Sequence, residues 1–392
     1  MNHDIIIIGA GPAGLSFARD MAETGLKIAL IEKLPQNVLA DPPYDGREIA
    51  LTHLSHKIMD SLGMWDLIGK EHISLVKTAK VLNGHSSYAL SFDHEEAGEE
   101  TLGFMVSNHR IREAAYKSLA GFSNIEIINK KEVASIGTDS AKGWVELEDG
   151  NRLEASLIVA ADSRFSTTRR MMGISTSMLD FGRTCVVCTM RAELPHDDTA
   201  YECFHFDRTL AILPLNNNQV SVVVTLPSEQ STELLAMSKE DFAVDIERRC
   251  DGRFGAMELT SELFPYPLVA TFAKTFYAKR FALIGDSSVG MHPVTAHGFN
   301  LGLRGAHTLA KELKNVIALG GDLGSQGALE RYSRTHRRAA APLYHGTNAL
   351  VKLYTNKSPA AKFARQTLLR LGNRIKPAKR LIMNQLTENK AA

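Results

Sequence analysis

At 392 residues, with 44% apolar and 23% charged side chains, the chain is long enough for about two domains and has the composition of an ordinary soluble globular protein. No apolar run approaches the roughly 18 residues of a membrane span, and residues 1–9 lack the basic start and cleavage site of a signal peptide, so the expected location is the cytoplasm. The formal net charge of +1 conceals an asymmetry, because residues 331–387 hold 13 Lys and Arg and no acid while the remainder is net acidic.

The chain opens HDIIIIGAGPAGLSFARDMAETGLKIALIEK. Residues 5–8 predict a short apolar strand. Gly9, Gly11 and Gly14, with Pro12 and Ala13 between them, supply G-x-G-x-x-G. A helix is expected to about residue 24, stopped by Gly25, then a second strand over 27–31 ending in Glu32 and Lys33. This strand-turn-helix-strand context makes the motif a specific sign of dinucleotide binding. Gly9 permits the tight turn, Gly11 lets the backbone approach a pyrophosphate, and Gly14 lets helix and strand pack closely. The helix N-terminus offers free N–H groups and a favourable dipole to phosphates. Glu32 is placed to accept hydrogen bonds from a ribose, and its charge disfavours a 2′-phosphate, so the ligand is FAD or NAD rather than NADP.

Further along, LEASLIVAADSRFSTTRR predicts an apolar strand ending in Ala161 and Asp162, followed by several arginines. The β-like run RTCVVCTM holds Cys185 and Cys188, whose spacing of three puts them on opposite faces of a strand, so they read as core thiols and not metal ligands; no metal site is expected. TLAILPLNNNQVSVVVTLP predicts a hairpin with an Asn-rich turn. The strand expected over 281–284 ends in Gly285 and Asp286, a second flavoprotein fingerprint, and the polar loop after it leads to a helix from Gly298. Finally, residues 359–374 fit an amphipathic helix, read either as a membrane-surface device or as a helix packed on the protein with a solvated basic face. A nucleic-acid patch is disfavoured because aromatic residues are sparse among the basic ones.

GAGPAG, then DGREIALT, then ADSRFSTTRR, then GDSSVGMHPVTAHGFNLGL, in this order, resemble the class A flavin-dependent aromatic hydroxylases and, within them, the ubiquinone-biosynthesis hydroxylase family. The family pattern for the last segment is G-D-A-A-H, a Pro, then G-Q-G-x-N-x-G. The string MHPVTAHGFN is most like the UbiM branch, associated with 5-hydroxylation of demethoxyubiquinol. There are departures: Ser163 stands where the family has the Gly of A-D-G, Val289 replaces the His of G-D-A-A-H, and Ala296-His297-Gly298 replaces G-Q-G.

The resemblance implies an α/β fold, with a Rossmann-like FAD-binding domain of the glutathione-reductase type (1–75, 99–180 and 272–345). It also implies an inserted mixed-sheet substrate domain (76–98 and 181–271) and a basic C-terminal helical segment (346–392). It places Glu32 on the adenosine ribose, Arg47 by the flavin phosphates, and Asp162 and Asp286 on the sugar and ribityl regions. Gly285 would bind the cofactor beside Asp286, Pro293, Gly298, Phe299 and Asn300 would run along the isoalloxazine, Val133 would face the adenine through its backbone, and Asn108 would touch the cofactor. NADH or NADPH would be the transient reductant, and molecular oxygen would be transferred through a flavin hydroperoxide to the ring of a polyprenyl quinol. His297 and His292, and more weakly His53, are the titratable candidates for deprotonating a phenol, each weighed against a structural role. Tyr201, Phe204, Phe206 and Leu213 are candidates to line the substrate pocket. Peripheral inner-membrane contact through 358–386 and association with a ubiquinone-biosynthesis complex are also implied. The competing readings are another flavin oxidoreductase, such as a small-phenol hydroxylase or an isoprenoid reductase, and a flavin-binding accessory protein without turnover. Flavin halogenases are excluded, since Trp65 and Trp144 cannot form their W-x-W pair.

Overall fold

The computed structural model describes residues 3–83, 89–204, 208–293, 297–355, 358, 383, 387 and 388. The helix expected over 359–374, residues 294–296 of the ligand loop, and Phe206 lie outside them.

Four consecutive isoleucines, Ile5–Ile8, are all buried, and a strand apolar on both faces belongs inside a parallel sheet. That sheet runs Tyr277–Ala278, Phe281–Leu283, Leu157–Ala160, Ile5–Ile8, Ile28–Glu32, Ile125–Asn129, all parallel except the first strand. Helix Pro12–Met21 buries Leu15, Phe17, Ala18 and Met21, then tightens into a 3₁₀ turn, Ala22–Thr24, which Gly25 ends in the left-handed conformation at φ 74°.

A second, larger sheet collects strands from distant parts of the chain. Its order is Val289–Gly290, Phe264–Ala273, Thr176–Ala192, Gln219–Pro227, Thr209–Pro214, Thr199–Phe204, Thr78–Asn83, Ala89–Asp93, with Met257–Leu259 paired to the long strand Thr176–Ala192. Asn217 and Asn218, both at positive φ, close the hairpin between Thr209–Pro214 and Gln219–Pro227.

One face of this sheet carries Val186, Cys188, Leu210, Ile212, Val222 and Val224, and helix Lys239–Arg249 covers it through Phe242 and Ile246. The other face carries Cys185, Val187 and Val223 and is turned toward the parallel-sheet unit. There the Tyr44 hydroxyl meets the Thr189 hydroxyl at 2.6 Å, and Tyr266 donates to the Asp45 carbonyl at 2.6 Å. Cys185 and Cys188 thus occupy opposite faces, as strand alternation requires. The same alternation corrects the pocket assignment. Tyr201 packs edge-on against Phe254 on the helix-covered face, whereas Leu213 belongs to the opposite side, so the two cannot line one pocket.

Helices His297–Ala318 and Gln326–Thr355 finish the described fold. The second is continuous across residues 345 and 346, so the boundary expected there falls inside a helix. At the far C-terminus Met383 is buried against Val76, Leu90 and Met105, and Glu388 meets the Thr52 hydroxyl (3.0 Å) and Arg304 (3.5 Å), so these residues are docked on the fold.

Candidate FAD site

The carboxyl ends of the parallel strands meet in one place, where open α/β sheets bind ligands. The Gly9 N–H donates to the Ile31 carbonyl (2.9 Å), the Ala161 N–H to Ile8 (2.7 Å) and the Ile284 N–H to Ala160 (2.9 Å), so the loops after three strands lie side by side. Gly9 has φ +105°, and a Cβ on it would sit 2.6 Å from the Ala161 carbonyl oxygen; a Cβ on Gly14 would sit 2.0 Å from the Gly9 carbonyl oxygen. Gly285 approaches Ala13 closely too, since a Cβ placed on it would lie 2.8 Å from the Ala13 methyl. Gly11, by contrast, has nothing within 4 Å. It begins helix Pro12–Met21, which has no side-chain cap, so the first-turn N–H groups are left for a ligand.

Around this centre, Glu32 is buried, with one carboxylate oxygen accepting from the Ala10 N–H (2.7 Å) and the other from the Leu34 N–H (3.0 Å). These bonds aim it across the glycine loop and leave lone pairs for ribose hydroxyls. Lys33 beside it is exposed. Val133 begins a strand just after Lys131, whose N–H donates to the Glu32 carbonyl at 3.1 Å. Arg47 and Asn108 converge on Asp45, through Arg47 Nε at 3.1 Å and Asn108 Nδ2 at 2.8 Å. Burial raises the Asp45 pKa, but the bond from and charge of Arg47, with Asn108 adding, outweigh it and hold the carboxyl below its usual range.

Asp162 accepts from the N–H and hydroxyl of Thr168 through one oxygen (3.2 and 3.0 Å), while its other oxygen, Oδ1, is buried with no partner among the described residues. Asp286 is about one-third exposed and pairs with Arg164 at 3.1 Å. Buried Arg169 ties the two loops by donating to the Ser287 carbonyl (2.6 Å) and the Arg164 carbonyl (3.1 Å).

Along the last loop, Val289 pairs with Phe272, so the residue that departs from the family pattern is an apolar strand contact. Pro293 is exposed, and Gly298 and Phe299 lie in the first turn of helix His297–Ala318, Phe299 half-buried. The Asn300 side chain accepts from the Thr52 N–H (3.1 Å) and donates to the Ala50 carbonyl (2.8 Å), fixing this helix start against strand Glu48–Leu51. His297 is buried with neither ring nitrogen bonded among the described residues. His292 packs edge-on against Phe181 at 4.8 Å; burial, with the charges of Arg183 and Arg164 adding, pushes its pKa down to about 4, so it is neutral at pH 7. His53 is turned away, bonded to the Thr101 carbonyl at 2.9 Å.

Three residues stand at the site without a clear mark in the sequence. Arg112 lies four positions after Asn108 on the same helix face, where burial lowers its pKa against the opposing charges of Asp45 and Glu32. The spacing from Asn108 is the available signal. Arg164 reads in the chain only as one of a basic run, and nothing local announces Asp286 as its partner. Glu48 accepts from the Ser107 hydroxyl at 2.6 Å, and burial, with the Asp45 charge adding, pushes it up to about 7.

An open space before Gly11, an uncapped helix, a buried acceptor on Asp162 and a ring of polar groups at the ends of parallel strands fit an extended phosphate-bearing dinucleotide. The FAD binding domain family matches residues 2–346. Ubiquinone hydroxylase UbiM of Neisseria meningitidis is 49% identical over 99% of this chain and 85% of its own length. Ubiquinone hydroxylase UbiL of Rhodospirillum rubrum is 32% identical over 97% of this chain and 88% of its own. Among solved structures, p-nitrophenol 4-monooxygenase PnpA of Pseudomonas putida DLL-E4 superposes with a TM-score of 0.79 over 99% of both chains at 18% identity, which shows a shared fold. The protein is an FAD-dependent monooxygenase, and with this extent of match the chain belongs to the FAD-binding-domain family and, within it, to the ubiquinone hydroxylases.

Proposed function

We propose that the protein hydroxylates the aromatic ring of a polyprenylated ubiquinone precursor, with 5-hydroxylation of demethoxyubiquinol the reaction it fits best. The observation that carries this reading is the 49% identity to a ubiquinone hydroxylase across 99% of the chain. FAD, reduced by NADH or NADPH, supplies the oxygen-activating chemistry when bound.

The chain's own residues would bind and orient. The first turn of helix Pro12–Met21 takes the pyrophosphate, Glu32 the adenosine ribose, Arg47 a phosphate, and Asp162 and Asp286 sugar and ribityl hydroxyls. The first turn of helix His297–Ala318, held in place by Asn300, directs N–H groups at the flavin ring, where they stabilise negative charge. In this reading 1–75, 99–180 and 272–345 form the FAD domain. Residues 76–98 and 181–271 form a substrate domain whose sheet excludes water above the ring. The test is oxidation of NADH or NADPH stimulated by a demethoxyubiquinol, with product mass showing one added oxygen. Stimulated reductant oxidation that yields only hydrogen peroxide would defeat it.

The basic segment 358–386 is assigned to contact with an anionic membrane surface, each Lys or Arg there contributing about 1 kcal/mol. Because Met383 and Glu388 are docked, truncation would also strip packing. Changing Lys362, Arg365, Arg370, Arg374, Lys376 and Lys379 to Gln is the cleaner test. Cosedimentation with anionic vesicles should fall while FAD content and short-quinol turnover persist; unchanged, salt-sensitive binding would rule the assignment out.

A further inference from the structure

On the large-sheet face turned toward the FAD unit, Val81, Glu202, Ala211, Val223, Val187 and Phe264 stand side by side in register across six strands. Five of the six are apolar. Val81 belongs to the cluster around Leu90 and Met105, and Val187, Val223 and Phe264 to another around Leu268, so Glu202 stands between two apolar patches.

The Phe264 end of the row lies against residues 44–47, because a Cβ on Gly46 would sit 2.4 Å from the Phe264 ring and 3.0 Å from Val187. That segment carries Arg47, so the row starts beside the FAD site. At about 4.8 Å per strand, Glu202 stands about 14 Å from Val187 along the sheet. Its side chain is half-buried on this face.

Among the described residues the fully buried acids are satisfied: Glu32 by two N–H groups, Asp20 by His307 and Lys314, Asp245 by Arg248 and Arg249. The Glu202 carboxyl has no hydrogen bond or ion pair among the described residues, and no charge opposes its burial. A carboxyl left this way costs stability, and such groups are retained where a ligand completes them.

We propose that Glu202 is a substrate-binding residue, a neutral carboxylic acid that donates its O–H to an oxygen substituent of the quinol ring while Val81, Ala211 and Val223 take the apolar remainder. This rests on the quinol-hydroxylase reading above. Burial pushes the Glu202 pKa up to about 8, so the acid form needed for donation prevails at pH 7 and is lost above pH 8.

Binding of a short-chain demethoxyubiquinol to the FAD-loaded enzyme, its KM across pH 6–9, and Tm are compared for the wild type, Glu202→Leu and Glu202→Gln. The leucine variant keeps FAD, has KM and Kd raised by about tenfold or more, and has a higher Tm, because an unpartnered carboxyl has left an apolar row. The glutamine variant, which donates N–H at every pH, stays within about threefold of the wild type at pH 7 and does not share its loss of affinity above pH 8. A leucine variant with wild-type KM and Kd, or one whose Tm falls with affinity unchanged, makes Glu202 structural only and overturns the proposal while leaving the functional reading intact. A wild-type enzyme that neither binds nor turns over the quinol sinks the functional reading and this assignment together.

Discussion

Gly14→Ala should yield a protein that purifies with less than about a tenth of its FAD and melts at a markedly lower temperature. The added methyl would lie 2.0 Å from the Gly9 carbonyl oxygen and 3.3 Å from the Ala161 side chain, so helix Pro12–Met21 must move away from the strand loops that form the site. Overpacking between backbone elements that cannot yield costs about 3 kcal/mol or more. Gly11→Ala is the informative partner. Its Cβ meets no protein atom within 4 Å, and its backbone, at φ −73°, suits any residue. That variant should keep the melting temperature of the flavin-free protein and still lose FAD, because the space its methyl enters is the one assigned above to the pyrophosphate. Equal flavin content in Gly11→Ala and wild type would show that the pyrophosphate does not lie over this loop.

Asp286→Ala should weaken FAD binding by about 10- to 100-fold without unfolding the protein. A hydrogen bond from a ligand hydroxyl to a charged group is worth about 1.5–3 kcal/mol, which corresponds to that range. The protein itself loses little. The Asp286 carboxylate is more than a third exposed, the ion pair with Arg164 is solvated, and Arg164 keeps its bond to the Val269 carbonyl. Asp286→Asn, which retains an acceptor oxygen, should fall between the two. The readouts are the flavin dissociation constant, from fluorescence recovery on dilution, and Tm measured on the flavin-free forms. An unchanged dissociation constant for the alanine variant would remove Asp286 from the ribityl position.

Much of the candidate site's glycine-loop end can be read from the linear chain because it is local. Gly9, Gly11, Gly14 and Glu32 occupy one strand-turn-helix-strand unit whose geometry permits few spacings, and the structure sets Glu32 across the loop through the Ala10 N–H. Alternation separates Cys185 from Cys188 correctly, and the same rule, applied to Tyr201 and Leu213, keeps them out of one pocket. Arg112 is recoverable from its spacing to Asn108 on a helix.

By itself, then, the sequence determined the parallel FAD-type core, the glycine loop and the identity of the acids at the strand ends, since periodicity and turn chemistry act between neighbours in the chain. Tertiary structure alone decided which groups meet: Arg164 with Asp286, Arg169 with Ser287, Asn300 with Thr52 and Ala50. It also decided the protonation of Glu48, His292 and Glu202, whose pKa values are pushed to about 7, 4 and 8. The physical reason is desolvation. The cost of a charge depends on what surrounds it in space, and those surroundings come from strands and helices brought together across hundreds of residues.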